Sequence, residues 1–259
     1  MMTQTHIAPA VQIDHGKVHL WVIPLDVPMP LWDRLSQILS PEEQRRAQRF
    51  YFARDRHRYV VARGTLRLLL AKYLQFPAEA IVFAYNEYGK PFVVSPAGKS
   101  VQFNISHSDA WGLIGVTRFP RIGVDIEKIK TTVDVLAIGK RFFATGEVNK
   151  LMQISASARL DYFFSGWTRK EAFIKAIGKG LTFSLQDFEV ELEPEQQCPR
   201  LKWFKPQPAE TTQWRFFALE PVKGFKAAVA VFSPNNQVPE FVVKNPQTVE
   251  EQLWKHLLA

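Results

Sequence analysis

Three observations predict an α+β fold for this chain. Strand-like and helix-like segments come in blocks rather than in strict alternation. The order strand, helices, strands occurs twice. The join falls between Pro120 and Arg121, giving an N-terminal half, residues 1–120, and a C-terminal half, residues 121–259, with a short terminal tail. Hydrophobic residues make up 46% of the 259, so a packed core is expected.

Residues 17–24, KVHLWVIP, read as a first strand. Residues 40–74 read as two helices broken near Arg54 and Asp55, or as one with a kink. Ser40 suits the N-cap, Pro41 the first helical position, and acids follow in the first turn. In the second part Val60, Leu66, Leu69 and Leu70 are expected to bury, with Arg56, Arg63 and Arg67 turned outward. Residues 81–93 read as strand, turn, strand, and residues 101–117 as two strands joined by a turn at 106–110. RIGVDIEKI, residues 121–129, is a further strand. An aliphatic helix follows, then residues 141–154, then a helix carrying FFSGWTRKEAFIKAI and ending at Gly178. Short strands and turns occupy residues 188–232, and residues 248–259 read as a terminal helix.

The chain has no apolar run long enough to cross a bilayer and no leader-like start, and its one cysteine, Cys198, excludes an internal disulfide and a cysteine metal cluster. A reducing, cytoplasmic setting is expected, with Cys198 an inert loop thiol. The formal charge of +8 points to an anionic partner: nucleic acid, anionic lipid, a phosphorylated cofactor or an acidic protein. Simple solubility explains it equally well.

Four segments hold residues suited to chemistry. In the 121–129 strand, alternation sends Ile122, Val124 and Ile126 to the core and Gly123, Asp125 and Glu127 to the other face, with Gly123 leaving space there. Paired carboxylates repel, and a hard cation such as Mg²⁺ relieves this. Two solvated acids on an exposed face are the plain alternative. On the later helix Phe163, Phe164, Trp167, Ile174 and Ile177 share one side, and Glu171 falls within the same arc. A carboxylate there needs a partner. Packed on the acidic face of the strand, it would share one cation with Asp125 and Glu127. Lys175 follows at i+4, where a surface pair with Glu171 is the ordinary alternative, and Lys170 also lies near the arc.

His107 falls in a turn between two serines, exposed or serving a phosphate. Lys90 sits in a Gly–Lys–Pro turn with its ammonium free to meet a phosphate. Arg54, Arg56, Arg58 and Arg63 form a solvated face or a phosphate clamp. No Walker or GxGxxG pattern occurs. Taken together, these are the parts of a phosphate-transfer site.

FNISHS (103–108), GVDIE (123–127) and WTRKEAFIKAIGKGL (167–181) resemble, in order and spacing, the three signature motifs of the 4′-phosphopantetheinyl transferases, in particular the larger surfactin-synthetase-activating type. RFYFARDRHRY and EYGKP resemble that family upstream, and the resemblance spans about residues 17–235. It implies two similar α+β halves related by pseudo-twofold symmetry, with the active site in the cleft between them. It implies coenzyme A as donor, Mg²⁺ as cofactor and a serine of an apo acyl, peptidyl or aryl carrier protein as acceptor, with 3′,5′-ADP released.

By position, Asp125, Glu127 and Glu171 would hold Mg²⁺. Glu171 would take the serine proton, directly or through a metal-bound water, and Lys175 would contact phosphate and assist proton movement. His107, after Ser106, would bind the 3′-phosphate end of coenzyme A, with Lys90, Arg58 and Arg63 as further phosphate contacts. Where some relatives have lysines after the SPE helix start, this chain has Glu43 and Arg46, so that part of the contact is expected to differ. A monomer with no nucleic-acid or membrane partner is expected.

Two other classes share part of the pattern. A basic Mg²⁺-dependent nucleic-acid-binding protein explains the charge and the acids but not the His107 and Lys90 turns. A non-catalytic carrier-binding module has no need of Asp125, Glu127, Glu171 and Lys175 together.

Overall fold

The computed structural model describes residues 11–95 and 101–258. The first half runs β1 (Lys17–Pro24), α1 (Met29–Gln37), α2 (Pro41–Gln48), α3 (Ala53–Leu74), a hairpin of β2 (Val82–Tyr85) and β3 (Pro91–Ser95), then β4 (Gln102–Ser108) and β5 (Trp111–Thr117). The second runs β6 (Arg121–Lys128), α4 (Val135–Phe142), α5 (Thr145–Gln153), α6 (Ala156–Ile177), the pair β7 (Phe188–Val190) and β8 (Leu201–Phe204), β9 (Trp214–Leu219), β10 (Phe225–Phe232) and β11 (Glu240–Lys244). A helical segment at 246–258 follows, with a π turn at Glu250–Trp254.

Local chemistry accounts for the ends of these elements. At α2 a capping box closes: Ser40 Oγ accepts from the Glu43 amide, and Glu43 Oε2 accepts from the Ser40 amide at 2.8 Å. The chain breaks after Gln48 and resumes helix at Ala53, slightly before the expected point. α6 stops at Gly178, which takes the left-handed conformation at φ 79°. The turn between β4 and β5 is tighter than 106–110: β4 continues to Ser108, so His107 is a strand residue, and Asp109 turns the chain at φ 49°.

A four-stranded sheet has the order β11-β1-β5-β4 and a three-stranded sheet the order β6-β10-β9, with β2–β3 and β7–β8 as two-stranded sheets. β1 is buried on both faces because it lies between two cores, and its one buried polar side chain, His19, bonds Tyr73 OH at 2.7 Å. Trp21 and Ile23 pack under α1, α3 and the terminal helical segment, while Val18, Leu20 and Val22 meet Ile122, Val124 and Ile126 of β6 and Val229 and Val231 of β10. The far side of the three-stranded sheet, with Ala228 and Ala230, carries α6. The layers are therefore helices, sheet, sheet, helix. β11 runs parallel to β1, and Val249, Leu253 and Trp254 enter the first core. Residues 240–258 thus complete the sheet of β1, β4 and β5 and the core beneath α1 and α3.

Arg63 and Arg67 do not face outward. Both are buried around Glu43: Arg67 Nε donates to Oε2 at 2.6 Å, and Arg63 Nε donates to Oε1. α3 is covered by α1, α2 and the residues around β2, so its arginines find an internal carboxylate instead of water.

Candidate active site

The site forms where the edges of the four-stranded and three-stranded sheets meet. β4 and β6 run in the same direction and are joined by side chains. Asn104 Oδ1 accepts from the Val124 amide at 2.9 Å, Ser106 Oγ donates to Asp125 Oδ1 at 2.8 Å, and Ser108 Oγ donates to Glu127 Oε2 at 2.9 Å. The period-two alternation of both strands brings each serine to its own carboxylate.

α6 lies directly on this seam because residue 123 is glycine. A Cβ there would stand 2.0 Å from Ala172 O and 2.3 Å from Ala176 N, so the space left by Gly123 is filled by helix backbone. That approach sets Glu171 and Lys175 beside the strand. Lys175 Nζ donates to Asp125 Oδ1 at 2.5 Å and to Ser106 Oγ at 2.9 Å. It pairs with the strand carboxylate, not with Glu171 at i−4.

The carboxylates perturb one another. Burial raises Asp125 above the usual range, against the pull of Lys175. Burial and the charge of Asp125 raise Glu127. Burial, with Asp125 and then Glu127 adding repulsion, pushes Glu171 up to about 7. Among the described residues, Asp125 Oδ2 is buried without a partner, and no hydrogen bond or ion pair engages the Glu171 carboxylate.

No group of three or more metal-ligating side chains forms a ready-made cage among the described residues. A hard cation that keeps waters and phosphate oxygens among its ligands needs no such cage. The unpartnered oxygens of Asp125 and Glu171, next to Glu127, fit it in chemistry and charge.

A cleft of about 770 Å³ opens beside these groups, lined by Glu127, Glu171 and Lys175 and by the apolar Phe142, Trp167 and Ile174. α6 is buried on most of its circumference, so its apolar arc is not a single core-facing stripe. Lys170 is fully enclosed with Glu147, Nζ to Oε2 2.7 Å. Glu171 is left at the edge of the cleft.

The remaining predicted residues have various placements. His107 is exposed on β4 opposite Gly112, two residues before the turn. Ser106 is buried in the Asp125 network. Arg58 makes a bidentate pair with Asp26, at 2.7 and 2.8 Å, and a bond to Asp109 at 2.8 Å. Lys90 is not free in its turn: Nζ donates to Ile122 O at 2.9 Å and Ala176 O at 3.2 Å. The sequence reading missed Ser108, which strand parity with Ser106 identifies, and the cleft wall at Arg141 and Phe142, which no local signal marks. It also passed over Arg45 and Arg49, which with Arg46, Phe50 and one acid, Glu42, line a groove of about 520 Å³ on α2 and the residues just after it.

Residues 121–230 match the family described as the 4'-phosphopantetheinyl transferase superfamily, and residues 28–117 match 4'-phosphopantetheinyl transferase, N-terminal. The 4'-phosphopantetheinyl transferase HetI of Nostoc sp. is 36% identical over 224 residues, covering 86% of this chain and 91% of that protein. The 4'-phosphopantetheinyl transferase Sfp of Bacillus subtilis is 37% identical over 165 residues, 64% of this chain and 71% of that protein. A solved Helicobacter pylori holo-[acyl-carrier-protein] synthase in complex with coenzyme A is 24% identical, with a TM-score of 0.33 over 43% of this chain and 99% of that one.

Proposed function

The chain belongs to the 4′-phosphopantetheinyl transferases of the Sfp-like type, enzymes that transfer phosphopantetheine to carrier proteins, and we propose that its donor is coenzyme A, its cofactor Mg²⁺ and its second product 3′,5′-ADP. The observation that carries this reading is the Glu171 carboxylate, unbonded among the described residues, beside Asp125 and Glu127, with Lys175 already seated on Asp125. Asp125, Glu127 and Glu171 would hold the cation, which when bound neutralises pyrophosphate charge.

The carrier serine Oγ attacks the β-phosphorus of coenzyme A. The bond from that phosphorus to the bridging oxygen breaks, and 3′,5′-ADP leaves. Glu171 accepts the serine proton. Without the cation, burial and the charges of Asp125 and Glu127 push its carboxyl up to about 7; a bound cation would lower it and keep the group as a carboxylate that can accept a proton. Lys175 places an ammonium where charge builds on the phosphoryl oxygens. His107, exposed at the end of β4, would meet the 3′-phosphate end. The basic groove of Arg45, Arg46 and Arg49 offers an anion surface where Glu43 has turned inward to Arg63 and Arg67. A role for Arg58 at the phosphates requires it to leave Asp26 or Asp109.

The test is intact-mass spectrometry of an apo carrier protein incubated with this protein, coenzyme A and Mg²⁺, with a parallel sample in EDTA. The expected result is a gain of one phosphopantetheine with Mg²⁺ and none with EDTA. No gain on carriers from several pathways would defeat the reading.

A further inference from the structure

The seam between α6 and β6 lacks an interlocking side chain at its closest point. Gly123 presents a smooth strand to the backbone of Ala172 and Ala176. Such a contact allows close approach but does little to stop the helix sliding along the strand. A stop is supplied from the other half of the molecule, by the hairpin of β2 and β3. Asn86 Nδ2 donates to Gly178 O at 2.8 Å, and Lys90 Nζ bridges Ala176 O on the helix and Ile122 O on the strand. These helix carbonyls lie in the last turn and just beyond it, where no intrahelical amide serves them and where a cation is favoured.

The hairpin tip is itself braced. Asn86 Oδ1 accepts from the amides of Tyr88 and Lys90 at 3.0 and 2.8 Å, and Gly89 takes φ 85° to close the turn. The contact is tight. A Cβ on Gly178 would stand 3.2 Å from both Asn86 Nδ2 and Lys90 Cδ. Burial, with a smaller push from Arg121, brings the Lys90 ammonium down to about 8, consistent with a lysine enclosed between two backbones.

We propose that Lys90 and Asn86 are positioning residues: together they latch the carboxyl end of α6 to β6 and so keep Glu171 and Lys175 in register with Asp125. Lys90 then acts on the reaction through the helix rather than by touching a phosphate. The proposal rests on the transferase reading only for its kinetic arm.

Two variants separate the latch from the hairpin fold. Lys90→Met keeps the aliphatic stem and removes the donors. Asn86→Asp keeps the oxygen that braces the turn and replaces the donor to Gly178 O. Hydrogen exchange of the full-length protein is measured over residues 172–180, together with kcat and KM for coenzyme A. Both variants are expected to exchange faster there. Both should also lose kcat by about 10- to 100-fold, the scale of a small misplacement of catalytic groups, with KM for coenzyme A within about twofold of the parent. Unchanged exchange in both variants overturns the latch. A raised KM with kcat intact in Lys90→Met overturns it as well, and makes Lys90 a phosphate ligand. If the parent protein transfers nothing, the mechanistic reading of the site fails, and the exchange result alone decides the latch.

Discussion

Lys175 on α6 is bonded to Asp125 on β6, Nζ to Oδ1 2.5 Å, while Glu171, one turn away on the same helix, has no hydrogen-bond or ion-pair partner among the described residues. The asymmetry follows burial. Asp125 is 2% exposed and needs its counter-charge inside the protein, whereas Glu171 borders the cleft. One carboxylate is thereby held and another kept available.

Glu171→Gln removes the charge and proton acceptor and keeps the volume. Turnover should fall by about 10²–10⁴-fold, the usual worth of a positioned acid or base, with an unchanged circular dichroism spectrum. Near-parental activity would remove Glu171 from the mechanism.

Asp125→Asn should also cost activity, and excess Mg²⁺ should restore it only in part, because Lys175 then faces a neutral amide in place of its carboxylate. Rate against Mg²⁺ concentration measures this. Full recovery at saturating Mg²⁺ would mean that Asp125 contributes affinity alone.

Gly123→Ala places a methyl against helix backbone that cannot step aside. Overpacking a core ordinarily costs about 1–3 kcal/mol, and a backbone clash belongs at or above the top of that range. Urea unfolding reads the loss. A shift in midpoint within error would refute the tight backbone contact at Gly123.

Stability should depend on pH through Glu171. Its carboxyl titrates at about 7 in the fold against an ordinary value of 4.5. Between these values the folded state binds more protons than the unfolded chain. The folded state is therefore favoured at low pH, and stability falls as pH rises through the window, by at most on the order of 3 kcal/mol and less after solvent screening. Asp125 and Glu127, also raised, act with the same sign. Urea midpoints in EDTA at pH 5 and pH 8 test it, and Glu171→Gln should flatten the slope. Equal slopes in parent and variant would refute the assignment.

The formal charge of +8 gives a salt test. If the basic surface steers an acidic carrier protein, its apparent KM should rise between low and physiological ionic strength. A flat response would assign the charge to solubility.

Features governed by neighbours in the chain were legible from the sequence. β1 occupies residues 17–24 as read, Ser40 caps α2 with Glu43, and α6 ends at Gly178. The alternation of residues 121–127 sends Ile122, Val124 and Ile126 to a core and the two acids to the other side. Periodicity and turn chemistry suffice for these, since each depends on backbone geometry over a few residues.

Only the tertiary structure decided which charges meet. Arg63 went to Glu43, Lys90 to two carbonyls and Arg58 to Asp26 and Asp109, although each sat in a segment that read as free to bind phosphate. β11 joined β1 from the far end of the chain. The physical reason is the same in each case. A charged or hydrogen-bonding group takes the partner that satisfies it once water is excluded, and which groups lose their water is set by the packing of segments distant in sequence.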